Sequence, residues 1–106
     1  MAQSTPRIDV PQLLIDDFCR KWNISELSLF GSVLSDDFTS ESDVDVLVTF
    51  FPDAKFGLFD MVHMENELKE IFGRDVDLVE RAALRNPFRR RAILENTKVV
   101  YEAPGS

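Results

Sequence analysis

Cysteine is nearly absent from this chain: Cys19 stands alone among 106 residues. A single thiol can close no intrachain disulfide and build no cysteine-based metal knuckle, which fits a reducing cytoplasm. Histidine is equally scarce, and His63, without a second imidazole to form a ligand pair, is expected to be a partly exposed helix residue. Basic residues are outnumbered, 12 against 19 acidic, for a net charge of −7. Such a chain repels a phosphate backbone unless cations or a local basic patch intervene, so general nucleic-acid binding is disfavoured. No run approaches the roughly 18 apolar residues of a membrane span, and the N-terminus lacks the apolar stretch of a secretory signal. The chain is therefore expected to stay soluble in the cytoplasm.

What is present suits one ordinary globular domain. The hydrophobic fraction of 44% is far above that of chains too polar to collapse, and the length has room for a single core. A chain of this size buries roughly two thirds of its unfolded surface, so any site is expected on an open face rather than in a deep cleft. Residues 1–8 and 103–106 read as loose ends.

The hydrophobic pattern alternates between helix and strand. Leu14, Phe18 and Trp22 recur at helical spacing from about Pro11, with Asp9 available as a cap. Glu26 to Phe30 alternates Leu27 and Leu29 with Ser28, as a half-buried strand does. Residues 33–42 are polar and turn-forming, a loop with room for one helical turn. The run Asp43 to Phe51 sets Val44, Val46 and Val48 on one side and Asp43, Asp45, Leu47 and Thr49 on the other. Met61, Met64, Leu68 and Ile71 mark a second amphipathic helix that Gly73 ends. Asp75 to Val79 is a short strand with Val76 and Leu78 on one face and Asp75 and Asp77 on the other. Asn86 and Pro87 open a third helix anchored by Ile93 and Leu94, and Lys98 to Tyr101 supply a last strand. This order implies an α+β or α/β-like fold, a small mixed sheet flanked by helices.

The chemistry concentrates on the acidic face. Two residues apart on one strand, Asp43 and Asp45 project to the same side with backbones roughly 6–7 Å apart, and such carboxylates raise each other's pKa unless a cation offsets them. Magnesium suits that role, because it takes a few carboxylates and completes its shell with water and phosphate oxygens. Gly31 and Ser32 end the preceding strand, where a glycine lets backbone approach a phosphate and a serine hydroxyl can bond its oxygens. Asp77, from a different strand, adds a third carboxylate able to bind metal and to take a proton from an attacking hydroxyl. Asp75 shares that face but stands at the strand start, where a solvated residue is expected. Arg85, Arg89, Arg90 and Arg91 form the one basic cluster, usually a solvated helix face but also able to meet phosphate or a partner.

Gly31-Ser32, ten intervening residues, Asp43-Val44-Asp45 and then Gly73-Arg74-Asp75-Val76-Asp77-Leu78-Val79 together resemble the minimal nucleotidyltransferases of the polymerase-beta-like superfamily. The likeness runs from about residue 11 to 102, through the Arg-Arg-Arg-Ala-Ile-Leu-Glu segment. It implies a mixed sheet flanked by helices, metal at Asp43, Asp45 and Asp77, and nucleotide phosphates at Gly31 and Ser32. It also implies Mg2+ and ATP as the species bound. Many domains of this kind resemble antitoxins encoded beside a helical HEPN ribonuclease toxin, to which they add AMP at a tyrosine, so a HEPN-type toxin is the implied partner.

The expected activity is transfer of a nucleoside monophosphate, AMP from ATP, to a hydroxyl on a partner protein. An alternative is a non-catalytic antitoxin that neutralises its partner by forming a complex. Relatives often carry an arginine in the loop after Gly-Ser, whereas residues 33–36 here are Val-Leu-Ser-Asp. Transfer to RNA is opposed by the negative charge and by the absence of an RNA-binding appendage.

Overall fold

A computed structural model of the chain describes residues 6–104. Its elements are α1 (Gln12–Lys21), β1 (Ile24–Phe30), β2 (Val44–Phe50), α2 (Leu58–Phe72), β3 (Val76–Glu80), α3 (Pro87–Leu94) and β4 (Thr97–Glu102), with short 3-10 turns at Gly31–Leu34 and Arg81–Ala83. The four strands form one mixed sheet in the order β3-β2-β1-β4. β1 pairs antiparallel with both β2 and β4, whereas β2 and β3 run parallel, joined by the crossover through α2. The α+β arrangement expected from the hydrophobic pattern is the one formed. Among the described residues no helix is long and apolar enough to cross a membrane.

One face of the sheet carries the main core. Val44, Val46 and Val48 are fully buried there beside Leu27, Leu29 and Val76, under Ile15, Phe18 and Cys19 of α1 and Met64 and Leu68 of α2. Full burial of a Val, Leu or Ile side chain stabilises the fold by about 1.5–3 kcal/mol, so this layer carries most of the favourable term. α1 is fastened at both ends: Gln12 Nε2 donates to the Val100 carbonyl at 2.7 Å, and Lys21 Nζ and Trp22 Nε1 both reach Glu67 of α2. Gly73, at φ 71°, closes α2 in the left-handed conformation, with its amide donating to the Lys69 carbonyl.

The opposite face holds a smaller cluster in which Phe30, Leu47, Leu84 and Ile93 pack together with Val79. α3 begins where Asn86 accepts the Phe88 and Arg89 amides on its side chain, with Pro87 in the first turn. Its inward residue, Ile93, pins the helix over this face.

Four local expectations need correction. Leu14 is 54% exposed and the inward stripe of α1 is Ile15, Phe18 and Cys19, so the helix is rotated on the sheet from the face that its leucine marked. Asp9 does not cap α1; Pro11 holds that place without a side-chain bond. Ser28 is 2% exposed, so β1 is covered on both faces, the second being the side of Phe30 and its cluster. The expected loose ends at 1–5 and 105–106 lie outside the described residues; within the described ones, Arg7, Ile8 and Ala103 contact the body of the fold. The Arg7 amide donates to the Val33 carbonyl at 2.8 Å, Ile8 packs on the core, and buried Ala103 donates to the Ser25 carbonyl at 2.9 Å.

Burial, reinforced by the nearby Asp16 charge and opposed by Arg20, pushes the Cys19 thiol up from the ordinary 9.0 to about 12. Only the unfolded chain then ionises this thiol between those values, so stability should fall as pH rises through 9. Native protein should resist iodoacetamide at pH 8 and react promptly in denaturant, a difference that mass spectrometry reads directly.

Candidate active site

The acidic residues reach one place because two kinds of strand pairing meet there. In the parallel register Asp45 stands opposite Asp77, and in the antiparallel register it stands opposite Phe30, the last residue before Gly31. Since Phe30, Leu47 and Val79 belong to the second cluster, alternation along each strand puts Asp45 and Asp77 on that same face. Asp43 precedes the first residue of β2 and is exposed, as is Asp77, whereas Asp45 is half-buried. The site is an open face at one end of the sheet, flanked by α3.

Gly31 is part of this geometry. Its backbone has φ 77°, a conformation that side chains rarely adopt, and a Cβ added there would collide with the Asp45 Oδ2 oxygen. The carboxylate of the central acid therefore occupies the space a side chain would fill, and glycine is required on two counts. Ser32 follows in the 3-10 turn, half-buried, with its carbonyl accepting from the Ser35 amide at 2.9 Å and from the Ser35 hydroxyl at 3.1 Å. Among the described residues its own hydroxyl makes no hydrogen bond.

Crowding shows in the electrostatics. The Asp45 carboxyl is held above the ordinary carboxylate range, first by burial, then by the charge of Asp77, then by that of Asp43; Arg89 opposes them. Arg89 thus lies close enough for its charge to act on Asp45, a placement legible in the sequence only as part of a basic cluster. The signal was its spacing: four residues before the inward-facing Ile93, it shares that face of α3. His63 is exposed on α2, and Tyr101 is buried on β4, so neither belongs to this face.

The donor set suits a magnesium ion carried by a nucleotide. Among the described residues no three His, Cys, Asp or Glu side chains stand close enough to enclose an ion by themselves. Magnesium is ordinarily held by one or two carboxylates together with substrate phosphates and water. The half-buried Asp45, with the exposed Asp43 and Asp77 beside a glycine turn, offers carboxylates of that kind, and these three are the residues that would hold it.

Residues 12–100 match the nucleotidyltransferase domain family. The chain belongs to that family. This nucleotidyltransferase domain is 32% identical to MJ0128 of Methanocaldococcus jannaschii over 76 residues, 72% of this chain and 76% of that one. It is 30% identical to protein adenylyltransferase MntA of Thermococcus cleftensis over 81 residues, 76% of this chain and 77% of that one. A toxin–antitoxin crystal structure with AMP-PNP shares its fold at a TM-score of 0.70 and 18% identity, over 89% of this chain and 75% of that one.

Two predictions follow from the crowding. Gly31→Ala and Gly73→Ala both force alanine into the left-handed region, for a loss of about 1–2 kcal/mol each, but nothing lies within 4 Å of a Cβ at Gly73. Gly31→Ala should therefore lose about 1–3 kcal/mol more by overpacking against Asp45, read as the difference in denaturant midpoints. Because the folded state raises the Asp45 pKa, ionisation at neutral pH opposes folding. Asp45→Asn should melt above the parent at pH 7, and the gap should close as pH falls below the ordinary carboxylate range, where both side chains are neutral.

Proposed function

We propose that this domain transfers AMP from ATP, with Mg2+, to a hydroxyl of a partner protein, and that the partner is a HEPN-type ribonuclease toxin for which it is the antitoxin. The observation that carries the reading is the juxtaposition of Gly31, Asp45 and Asp77 by register at one open end of the sheet. Three similar proteins support the finer points: the Thermococcus relative is a protein adenylyltransferase, one fold neighbour holds AMP-PNP, and another is a tri-AMPylated Shewanella oneidensis HEPN toxin with its MNT antitoxin. That last neighbour has a TM-score of 0.61 and 18% identity, over 87% of this chain and 70% of that one.

In this mechanism Gly31 brings backbone close to the phosphates and the Ser32 hydroxyl donates to one of their oxygens. Asp43 and Asp45 would hold Mg2+, which when bound would supply charge neutralisation on the phosphates and alignment of the attacking oxygen. Asp77, across the register from Asp45 and open to solvent, accepts the proton as the acceptor oxygen bonds to the α-phosphorus and the bond to pyrophosphate breaks. Arg89 adds a positive charge on the α3 side, where the loop after Gly31-Ser32 has none. The acceptor comes from outside, because an open face leaves the α-phosphorus accessible to a docked protein, and a cytoplasmic setting supplies both ATP and toxin.

The loop sequence Val33-Leu34-Ser35-Asp36, whose first two side chains are buried and whose last is ion-paired with Arg7, favours a second reading. In it the domain neutralises the toxin by covering it. Cells carrying the toxin separate the two: an Asp43→Asn antitoxin should fail to protect if transfer is the mechanism and protect fully if coverage is.

Incubation of the domain with Mg2+, ATP and a HEPN-type toxin encoded beside it should add one or more AMP masses to that toxin. Asp43→Asn or Asp77→Asn should remove the gain, and no gain with the parent would overturn the proposal. Arg89→Ala should raise KM for ATP about tenfold, the scale of one charge-assisted contact, with a smaller change in kcat.

A further inference from the structure

Arg74 lies between Gly73, where α2 ends, and β3, and spends its guanidinium on the loop before β2. Its Nη1 donates to the carbonyls of Thr39 at 3.1 Å and Ser42 at 3.0 Å. The guanidinium also lies over the Phe38 ring, 4.5 Å from its centroid, and Phe38 packs on the main core. The turn it grips is already closed on itself. The Thr39 amide donates to Ser42 Oγ at 3.0 Å, the Ser42 amide to the Thr39 carbonyl at 3.1 Å, and the Glu41 amide to Thr39 Oγ1 at 3.2 Å.

Asp43 follows this turn directly and precedes the strand. On its far side the Val44 amide donates to the Asp75 carbonyl at 2.9 Å. Its backbone is therefore held between the gripped turn and the first bond to the β3 segment. Arg74 is flanked by Asp75 in sequence and by Asp43 in space, yet it forms no ion pair among the described residues. Carbonyls take its hydrogen bonds, so the guanidinium does not occupy the carboxylate oxygens of Asp43 or Asp75.

We propose that Arg74 is a positioning residue that holds Asp43 in place for divalent-cation binding, by tying the turn before β2 to the start of β3. The proposal rests on the nucleotidyltransferase reading of the site. Outer groups that orient metal-binding carboxylates commonly alter metal affinity by about 10–100-fold when lost. A planar two-carbonyl grip with ring stacking is also one that lysine reproduces only in part.

The test is Mn2+ binding by calorimetry in the presence of a non-hydrolysable ATP analogue, with amide hydrogen exchange over residues 39–44. Arg74→Met should weaken Mn2+ binding about tenfold and speed exchange across the turn, while Arg74→Lys recovers part of both. In an Asp43→Asn background, Arg74→Met should add little further loss, because its effect passes through Asp43. An equal loss in both backgrounds, or faster exchange with unchanged Mn2+ affinity, would reduce Arg74 to a structural brace and overturn the proposal. Should Arg74→Met not fold, Ser42→Ala, which opens the same turn from within, must lower Mn2+ affinity in the same Asp43-dependent way or the proposal fails. A parent that binds no Mn2+ with the analogue rejects the underlying reading instead, and this inference with it.

Discussion

The site depends on where the Asp45 carboxylate is held. It stands at the middle of the sheet, with Asp77 beside it on β3, the Gly31 turn beside it on β1 and Asp43 two residues away on its own strand. Each neighbour either repels it or leaves it just enough room. A group so placed disfavours its own ionised form, as the upward displacement of its pKa records. Any species that supplies positive charge to this face relieves the strain; under the proposed function that species is a nucleotide carrying a divalent ion.

That unfavourable cluster survives because the rest of the sheet over-compensates for it. The same strand that carries Asp43 and Asp45 buries Val44, Val46 and Val48 completely on its other face. Alternation along β2 thus separates stability from chemistry by one residue: even positions anchor the strand in the core, and odd positions present charge at the open end. Leu47 marks the limit of the acidic end, since it joins Phe30, Leu84 and Ile93 in the second cluster and seats α3.

Seating α3 there changes the electrostatics of an otherwise acidic protein. With a net charge of −7 the domain as a whole repels a triphosphate, yet Arg89 opposes the carboxylates at Asp45. Under the proposed function, Arg89 supplies from α3, more than fifty positions later in the chain, a positive charge that the loop after the glycine-serine pair lacks. Arg74 serves the same face differently, bonding carbonyls of the turn that delivers Asp43 and leaving the acidic groups free to act.

Much of this was legible in the residue order. Period-two alternation placed Asp43 and Asp45 on one face of β2 and Asp77 on the polar face of β3, because a strand's side-chain directions follow from local backbone geometry alone. Helix ends at Gly73 and Asn86 were equally readable, since they depend on one residue's backbone freedom or capping group. Leu14 and Ser28 were misjudged because the rotation of a helix on its sheet, and cover on a strand's second face, are settled by partners distant in sequence. Strand register set Asp77 opposite Asp45, and packing of α3 brought the Arg89 charge within reach of Asp45. The chain order by itself determined which residues could carry the chemistry; the tertiary structure decided which of them meet, because charge and close approach act across space between segments that no local pattern relates.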